Sequence, residues 1–412
     1  LTALGAMLFW PIAWALGRVL LPSHALLPRS RWEEFSVAYL LGSALICVLG
    51  TVGVAAGVPF AAIHTLTLAG GAAAGGLLFM RHKRGGEPAY DALGWSRPAA
   101  ILLGALGLGA AAFTLALPLN DFDPILHFGY RGKILHYQGT VLDEALLGLE
   151  GPFGYGRIAT HPNYPLGLPV MEAWAARLGG WSDRWVQAPL AWWALCLPGA
   201  VAFALRGISK ETARRAALLA ACTPMIYARD LFAIGMQDLR EAGLTNRVTL
   251  GGGADLPLAA MLAGAAALAL AAQRANCRRA GWCAGLLLAG AVSIKNEGLA
   301  LTGVFFVAAL ASFTLPQRPR ARPLLACAVV AALGIAPWLM VRAQLPAIDE
   351  NYGEQFSIAR VLDALGGMEE PLESVPSGMA AEAEAEAVGE AGLQRRVQIA
   401  LAFGAEFSDL LT

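Results

Sequence analysis

Long apolar runs separated by short charged breaks set the pattern of this chain. They predict spans at about 2–21, 37–57, 59–80, 99–117, 187–206, 214–228, 255–272, 281–294, 297–315 and 323–343. A last apolar run begins near 397. Most approach the length of about 20 residues that carries a helix across hydrocarbon. The run at 214–228 is short, and those at 281–294 and 297–315 almost merge around Lys295. Gly and Ala are abundant within the runs, which suits close helix packing in lipid. The expected fold class is all-α, a polytopic transmembrane helical bundle of about ten or eleven spans with a long outer loop carrying short interfacial helices.

The basic residues between the runs give the crossings a direction. Arg29 and Arg31 follow the first run, Arg81, His82, Lys83 and Arg84 the third, and Arg206, Lys210, Arg214 and Arg215 the fifth. Arg274, Arg278 and Arg279 follow the seventh, and Arg318, Arg320 and Arg322 the ninth. If every run spans, all these clusters share one side, which the positive-inside rule assigns to the cytoplasm. The outer side then receives the long loop 118–186, the loop 229–254, the break Lys295–Glu297 and the segment 344–396. The long loop is rich in aromatics (Phe128, Tyr130, Tyr137, Trp174, Trp181 and Trp185), which favours short helices on the outer membrane face. Residues 379–391 read MAAEAEAEAVGEA, with Glu369, Glu370 and Glu373 before them. This is a solvated helix or acidic loop without a catalytic role.

Composition agrees with a membrane chain: 57% of residues are apolar and 15% charged, too little charge to cover a soluble domain of this length. Formal net charge is zero, so no basic footprint points to a nucleic-acid partner. Most of the six cysteines fall in apolar runs and none shows CxxC spacing, so they read as packing residues. The chain opens on Leu1 and ends at Thr412 inside an apolar run, as a piece of a longer protein would. No Walker A, GxSxG or HExxH motif occurs, and the histidines lack metal-ligand spacing.

Candidate chemistry gathers in outer segments. NDFDPILHFGYRGKILH, 120–136, places Asp121 and Asp123 before His127, Arg131 and Lys133. A carboxylate there can take a proton from a hydroxyl or bind a metal, and the cations can hold a phosphate. The same Asp can equally be a helix cap. HPNYPLGLPVMEAW, 161–174, makes a stiff polar turn with His161 and Tyr164, which also reads as an interfacial anchor. Asp255 opens the seventh run after glycines 251–253, as an N-cap or a ligand contact. Lys295 and Glu297 interrupt an apolar stretch, where ionisable groups usually mark a site or pathway.

Together these motifs resemble the bacterial GT-C superfamily of membrane glycosyltransferases, related to protein O-mannosyltransferases and lipid A aminoarabinose transferases. FDPILHFGYRGK, 122–133, is similar to the family's first outer loop, with Asp123 at the acidic position, Arg131 and Lys133 at the basic ones, and Phe122 and Phe128 replacing tryptophans. HPNYPLGLPVMEAW looks like its YPxxxP stretch, ADLPLA at 254–259 its Ala-Asp-Leu-Pro segment, and SIKNEGLAL at 293–301 its Lys-Asn-Glu-Gly motif. The resemblance covers roughly 99–343 as a seven-span core, after three extra spans and a basic loop in 1–98 and before 344–412.

The resemblance implies a polyprenyl-phosphate-linked sugar donor, a glycan, lipid or protein acceptor, and inverting transfer on the outer face of a bacterial plasma membrane. Asp123 would be the general base, with Asp121 as its alternate. Arg131, Lys133 or Lys295 would stabilise the departing lipid phosphate. Asp255 and Glu297 would bind sugar hydroxyls or orient the cations, and His161 and Tyr164 would line the substrate site. No cofactor is implied, and a divalent metal is not favoured. The residues alone leave two other readings. One is a transporter or lipid flippase, motivated by Lys295, Glu297 and the Gly-rich spans. The other is a non-enzymatic assembly subunit of the cell envelope.

Overall fold

The computed structural model describes residues 2–23, 26–27, 29–84, 90–116, 118–119, 123–141, 164–223, 253–314 and 320–343. All regular structure among them is helical. In chain order the α-helices are α1 Thr2–Met7, α2 Phe9–Leu20, α3 Arg31–Ala55, α4 Phe60–Lys83 and α5 Arg97–Ala116. A π-helical turn, Asp123–Gly129, leads into α6 Tyr130–Gln138, followed by α7 Gly167–Ala176. A 3-10 turn, Trp185–Leu190, precedes α8 Trp193–Leu205, α9 Lys210–Ala221, α10 Asp255–Ala275, α11 Arg278–Ile294, α12 Glu297–Ala311 and α13 Ala321–Arg342.

The protein is an all-α bundle in which seven described helical segments are long and apolar enough to cross a membrane. They are Thr2–Leu20, Arg31–Ala55, Phe60–Lys83, Arg97–Ala116, Trp185–Leu205, Asp255–Ala275 and Ala321–Arg342. The expected span 281–294 is α11, whose 17 residues fall just short of that length yet run between the same two ends as α3. The expected span 297–315 is represented by the 15-residue α12. Of 214–228, the described part belongs to α9, which begins at the N-cap Ser209 and carries Lys210, Glu211, Arg214 and Arg215 in its first turns. That polar start makes α9 amphipathic rather than uniformly apolar, and it packs on α8. Residues 224–228, and the apolar run near 397, lie outside the described residues.

Helix α3 is the axis of the bundle, packed against α2, α8, α11, α7 and α13. It starts six residues earlier than the apolar run at 37–57 predicts. A capping box explains the difference: the Ser30 hydroxyl accepts from the Glu33 amide, and the Glu33 carboxylate accepts from the Ser30 amide. Glycine sets the closest approaches. A Cβ on Gly17 would lie 1.8 Å from Ala38 O, and one on Gly42 1.7 Å from Ala13 O, so α2 and α3 touch backbone to backbone, antiparallel. Gly281 and Gly285 do the same for α11 against Pro323 and Cys327 of α13, here parallel.

The two ends of the bundle differ chemically. At one end, Arg18 and Arg29 bind Glu34 at 2.6 and 3.2 Å, while Arg206 bridges Glu33 at 2.9 Å and Asp91 at 3.0 Å. Lys210 also binds Asp91, Arg279 donates to Leu20 O, and Gln273 donates to Arg320 O. Four of the five basic clusters expected on one side, those of Arg29, Arg206, Arg279 and Arg320, therefore meet at one end. The short elements α6 and α7 belong to the opposite end. There the Phe60 amide donates to Gly139 O, Val170 fills the space above Gly50, and Gly167 abuts Ser293. Helix α7 differs from the expected surface helix. It is buried along its whole length, with α6 packed on one side and α3 on another.

Candidate functional site

Two polar groups stand at the end opposite the basic loops. The first is built on α6. Asp123 opens the π-helical turn that runs into this helix. Arg131, in the first turn of α6, is 3% exposed, and its Nη1 donates to the carbonyl of Tyr164. Burial pulls the guanidinium below its ordinary pKa, and no carboxylate pairs with it among the described residues. The Tyr164 ring stacks on His127, with centroids 5.1 Å apart and planes 6° apart, and meets Phe128 edge-on at 5.6 Å. These contacts fix the turn before α7 against the turn before α6.

The second group is built on the break between α11 and α12. Lys295 adopts an extended conformation, φ −152° and ψ 146°, which stops α11. The amide of Gly298 donates to Lys295 O at 2.9 Å and starts the next helix. The ammonium lies 2.7 Å from Asp255 Oδ1 and 3.3 Å from Glu297 Oε1. Lys295 is 17% exposed, whereas Asp255 and Glu297 are 72% and 56% exposed. Burial pushes the Lys295 pKa down, but the two carboxylates outweigh it, so the net shift is upward and the charge is kept. Asp255 is not the cap itself. Ala254 holds that position, and Asp255 is the first helical residue of α10, where an acidic group also suits the helix dipole.

The two groups are neighbours. A Cβ on Gly167 would lie 2.5 Å from Ser293 O, and Cys47 Sγ contacts Gly167 O at 3.4 Å. Tyr164 is three residues before this contact and Lys295 two residues after it. The fold thus brings Arg131, Tyr164, Asp255, Lys295 and Glu297 to one end of the bundle.

Lys133 departs from the expected pairing with Arg131. Residues two apart on a helix do not share a face. Arg131 turns to Tyr164, whereas Lys133 turns to Asp183 at 3.4 Å and lies 5.8 Å from the Trp181 ring centroid. Asp121 and His161 lie outside the described residues, as does the side chain of Asp123.

Sequence reasoning missed Glu172. It is the one carboxylate in the apolar helix GLPVMEAWAA and is 1% exposed, with neither oxygen hydrogen-bonded among the described residues. A lone acidic residue in an otherwise apolar helix was the available signal. Burial, reinforced by Asp183, pushes its pKa well above the carboxylate range.

No known family model, curated protein or solved structure matches this chain.

Proposed function

We propose that this protein is a membrane glycosyltransferase that moves a sugar from a polyprenyl-phosphate donor to an acceptor hydroxyl. The active site would face outward from a bacterial plasma membrane. Arg131 carries the reading. A buried guanidinium with no carboxylate partner among the described residues is costly unless an anion completes it, and a lipid monophosphate supplies that charge. The site's place at a helix-bundle end suits a donor whose tail is in the membrane and whose head group is at its surface. The order of the outer motifs supports the choice of a sugar-bearing phosphate.

In this reading the acceptor hydroxyl attacks the anomeric carbon from the face opposite the leaving group. Asp123 takes the hydroxyl proton, with Asp121 as its alternate. The bond between the anomeric carbon and the phosphate oxygen breaks, and the electron pair leaves with the lipid phosphate. Arg131 and Lys295 stabilise that charge. Lys133 is held by Asp183 and contributes from the other side of α6. Asp255 and Glu297, more than half exposed, orient Lys295 and meet sugar hydroxyls. His161 and Tyr164 belong to the wall of the donor site. The exposure of Asp255 and Glu297 supports an interfacial site over an ion or solute pathway at mid-membrane.

The test is equilibrium binding of a long-chain polyprenyl monophosphate to the full-length protein in detergent or nanodiscs. The wild type binds, and Arg131→Gln binds at least about tenfold more weakly, as loss of a charge-assisted hydrogen bond predicts. Equal binding by both, or none by either, rejects the reading.

A further inference from the structure

Glu172 has no part in the reaction as assigned, yet it lies directly behind it. A Cβ added at Gly132 would sit 2.9 Å from Glu172 Oε2 and 2.8 Å from the Trp181 ring. A methyl at Gly132 would force the carboxyl or the Trp181 ring to shift. Gly132 is also the residue between Arg131 and Lys133. The carboxyl therefore lies against α6 at the residue between the two cations. It is fully enclosed, and neither oxygen has a hydrogen-bond partner among the described residues. Such a group costs the folded state its full desolvation penalty, far less when protonated than when ionised.

The surrounding groups make ionisation consequential. On α6 they are Arg131, Lys133 and His136, whose Nδ1 is likewise buried and has no hydrogen-bond partner among the described residues. Arg177 caps the C-terminal end of α7 and acts electrostatically on His136, and Asp183 follows beyond it. On α4, His64 packs against Trp174 at 4.8 Å. On α3, Cys47 contacts the start of α7, and the π-helical turn carries His127 and Asp123, the side chain of the latter lying outside the described residues. Helix α1 and the 3-10 turn bring no charged side chain, and neither does the end of α11 that meets α7.

We propose that Glu172 is a positioning residue for the Arg131–Gly132–Lys133 segment, its protonation setting whether these cations serve an anionic ligand or the carboxylate beneath them. Protonated, it lets α6 seat on α7 with Arg131 held by Tyr164. Deprotonated, its proton goes to solvent and the new negative charge draws the cations inward. The inference rests on the transferase reading for the identity of the ligand, but not for the movement of α6.

The movement is read by hydrogen–deuterium exchange of residues 130–138 in the full-length protein, corrected for intrinsic rates, as pH is raised. Wild-type α6 loses protection as pH rises, while Glu172→Gln keeps it. Glu172→Met, which also cannot ionise, guards against a Gln variant that fails to fold. A protonated-carboxyl band in the infrared spectrum disappears in both variants. Polyprenyl monophosphate binding is followed over the same range. Wild-type affinity falls with a limiting slope of about tenfold per pH unit for one linked proton, and this fall is absent in Glu172→Gln. Superimposed exchange profiles, or an unchanged carboxyl band, overturn the positioning role. Preserved exchange differences without any lipid-phosphate binding reject the transferase reading alone.

Discussion

Lys295, at the break between α11 and α12, reaches the first residue of α10, its Nζ 2.7 Å from Asp255 Oδ1. Forty residues of sequence separate the two. The pair joins the ends of three helices at the same place where Gly167 docks the Tyr164 turn. A lysine held this way is a fixed charge, restrained by Asp255 and Glu297 rather than free to sample solvent.

Replacing Lys295 by Met should therefore weaken polyprenyl-phosphate binding by about tenfold or more, measured by equilibrium titration. Its cost to unfolding should stay under about 1 kcal/mol, because both carboxylate partners are largely exposed. The raised pKa gives the sign of any pH effect. The pair's contribution is fully present below the ordinary lysine value of 10.5 and is lost only as pH climbs through the higher folded value. Stability near neutral pH should show no step that Lys295→Met removes.

The opposite end carries a sterner dependence. Arg206 reaches Glu33, which has no exposed surface, and also holds Asp91. Arg206→Ala leaves Glu33 buried without that cation and should cost about 3–5 kcal/mol, read as a fall in the thermal midpoint in detergent. The double variant with Glu33→Gln should recover much of the loss. If the double variant is as unstable as the single one, packing by the arginine stem is the larger effect.

Close helix contact depends on Gly42, where any Cβ would enter Ala13 of α2. Gly42→Leu should separate α2 from α3 and cost about 1–3 kcal/mol or more. Gly75→Leu, at a position with nothing within 4 Å, is the control and should be neutral.

Glu172 gives a second pH signature, this time in stability. Its folded pKa is raised, so the folded state binds the extra proton and stability falls as pH rises above the ordinary carboxylate value of 4.5. Glu172→Gln removes this dependence. It should be more stable than the wild type at neutral pH, by a margin that vanishes in acid. A constant difference at all pH values would show that size or packing, not charge, is responsible.

Much of this was legible in the sequence, because two simple signals are long-range. The apolar runs mark the helices, and the basic residues between them mark one end, where Arg29, Arg206 and Lys210 converge with Arg18 from the end of the first run. The meeting of Asp255, Lys295 and Glu297 followed from placing each at the opposite end. What was hidden depends on pairing in three dimensions. Glu33 and Glu34 look like a loop, but arginines neutralise them and α3 begins there. Arg131 and Lys133 look like one cationic patch, yet the helix turns them to different partners. Glu172 disappears among apolar neighbours until the approach of Gly132 gives it a position.

The central claim is transfer of a sugar from a polyprenyl phosphate, and it is tested most directly by donor consumption. Full-length protein would be incubated with polyprenyl-phosphate hexoses and pentoses and with cell-envelope extract as acceptor. Release of free lipid phosphate and the anomeric configuration of the product would be followed. The account predicts transfer with inversion, reduced by about 10²–10⁴-fold in Asp123→Asn, the range expected for loss of a general base. No donor consumption by the wild type, or full activity in both Asp123→Asn and Asp121→Asn, would contradict it.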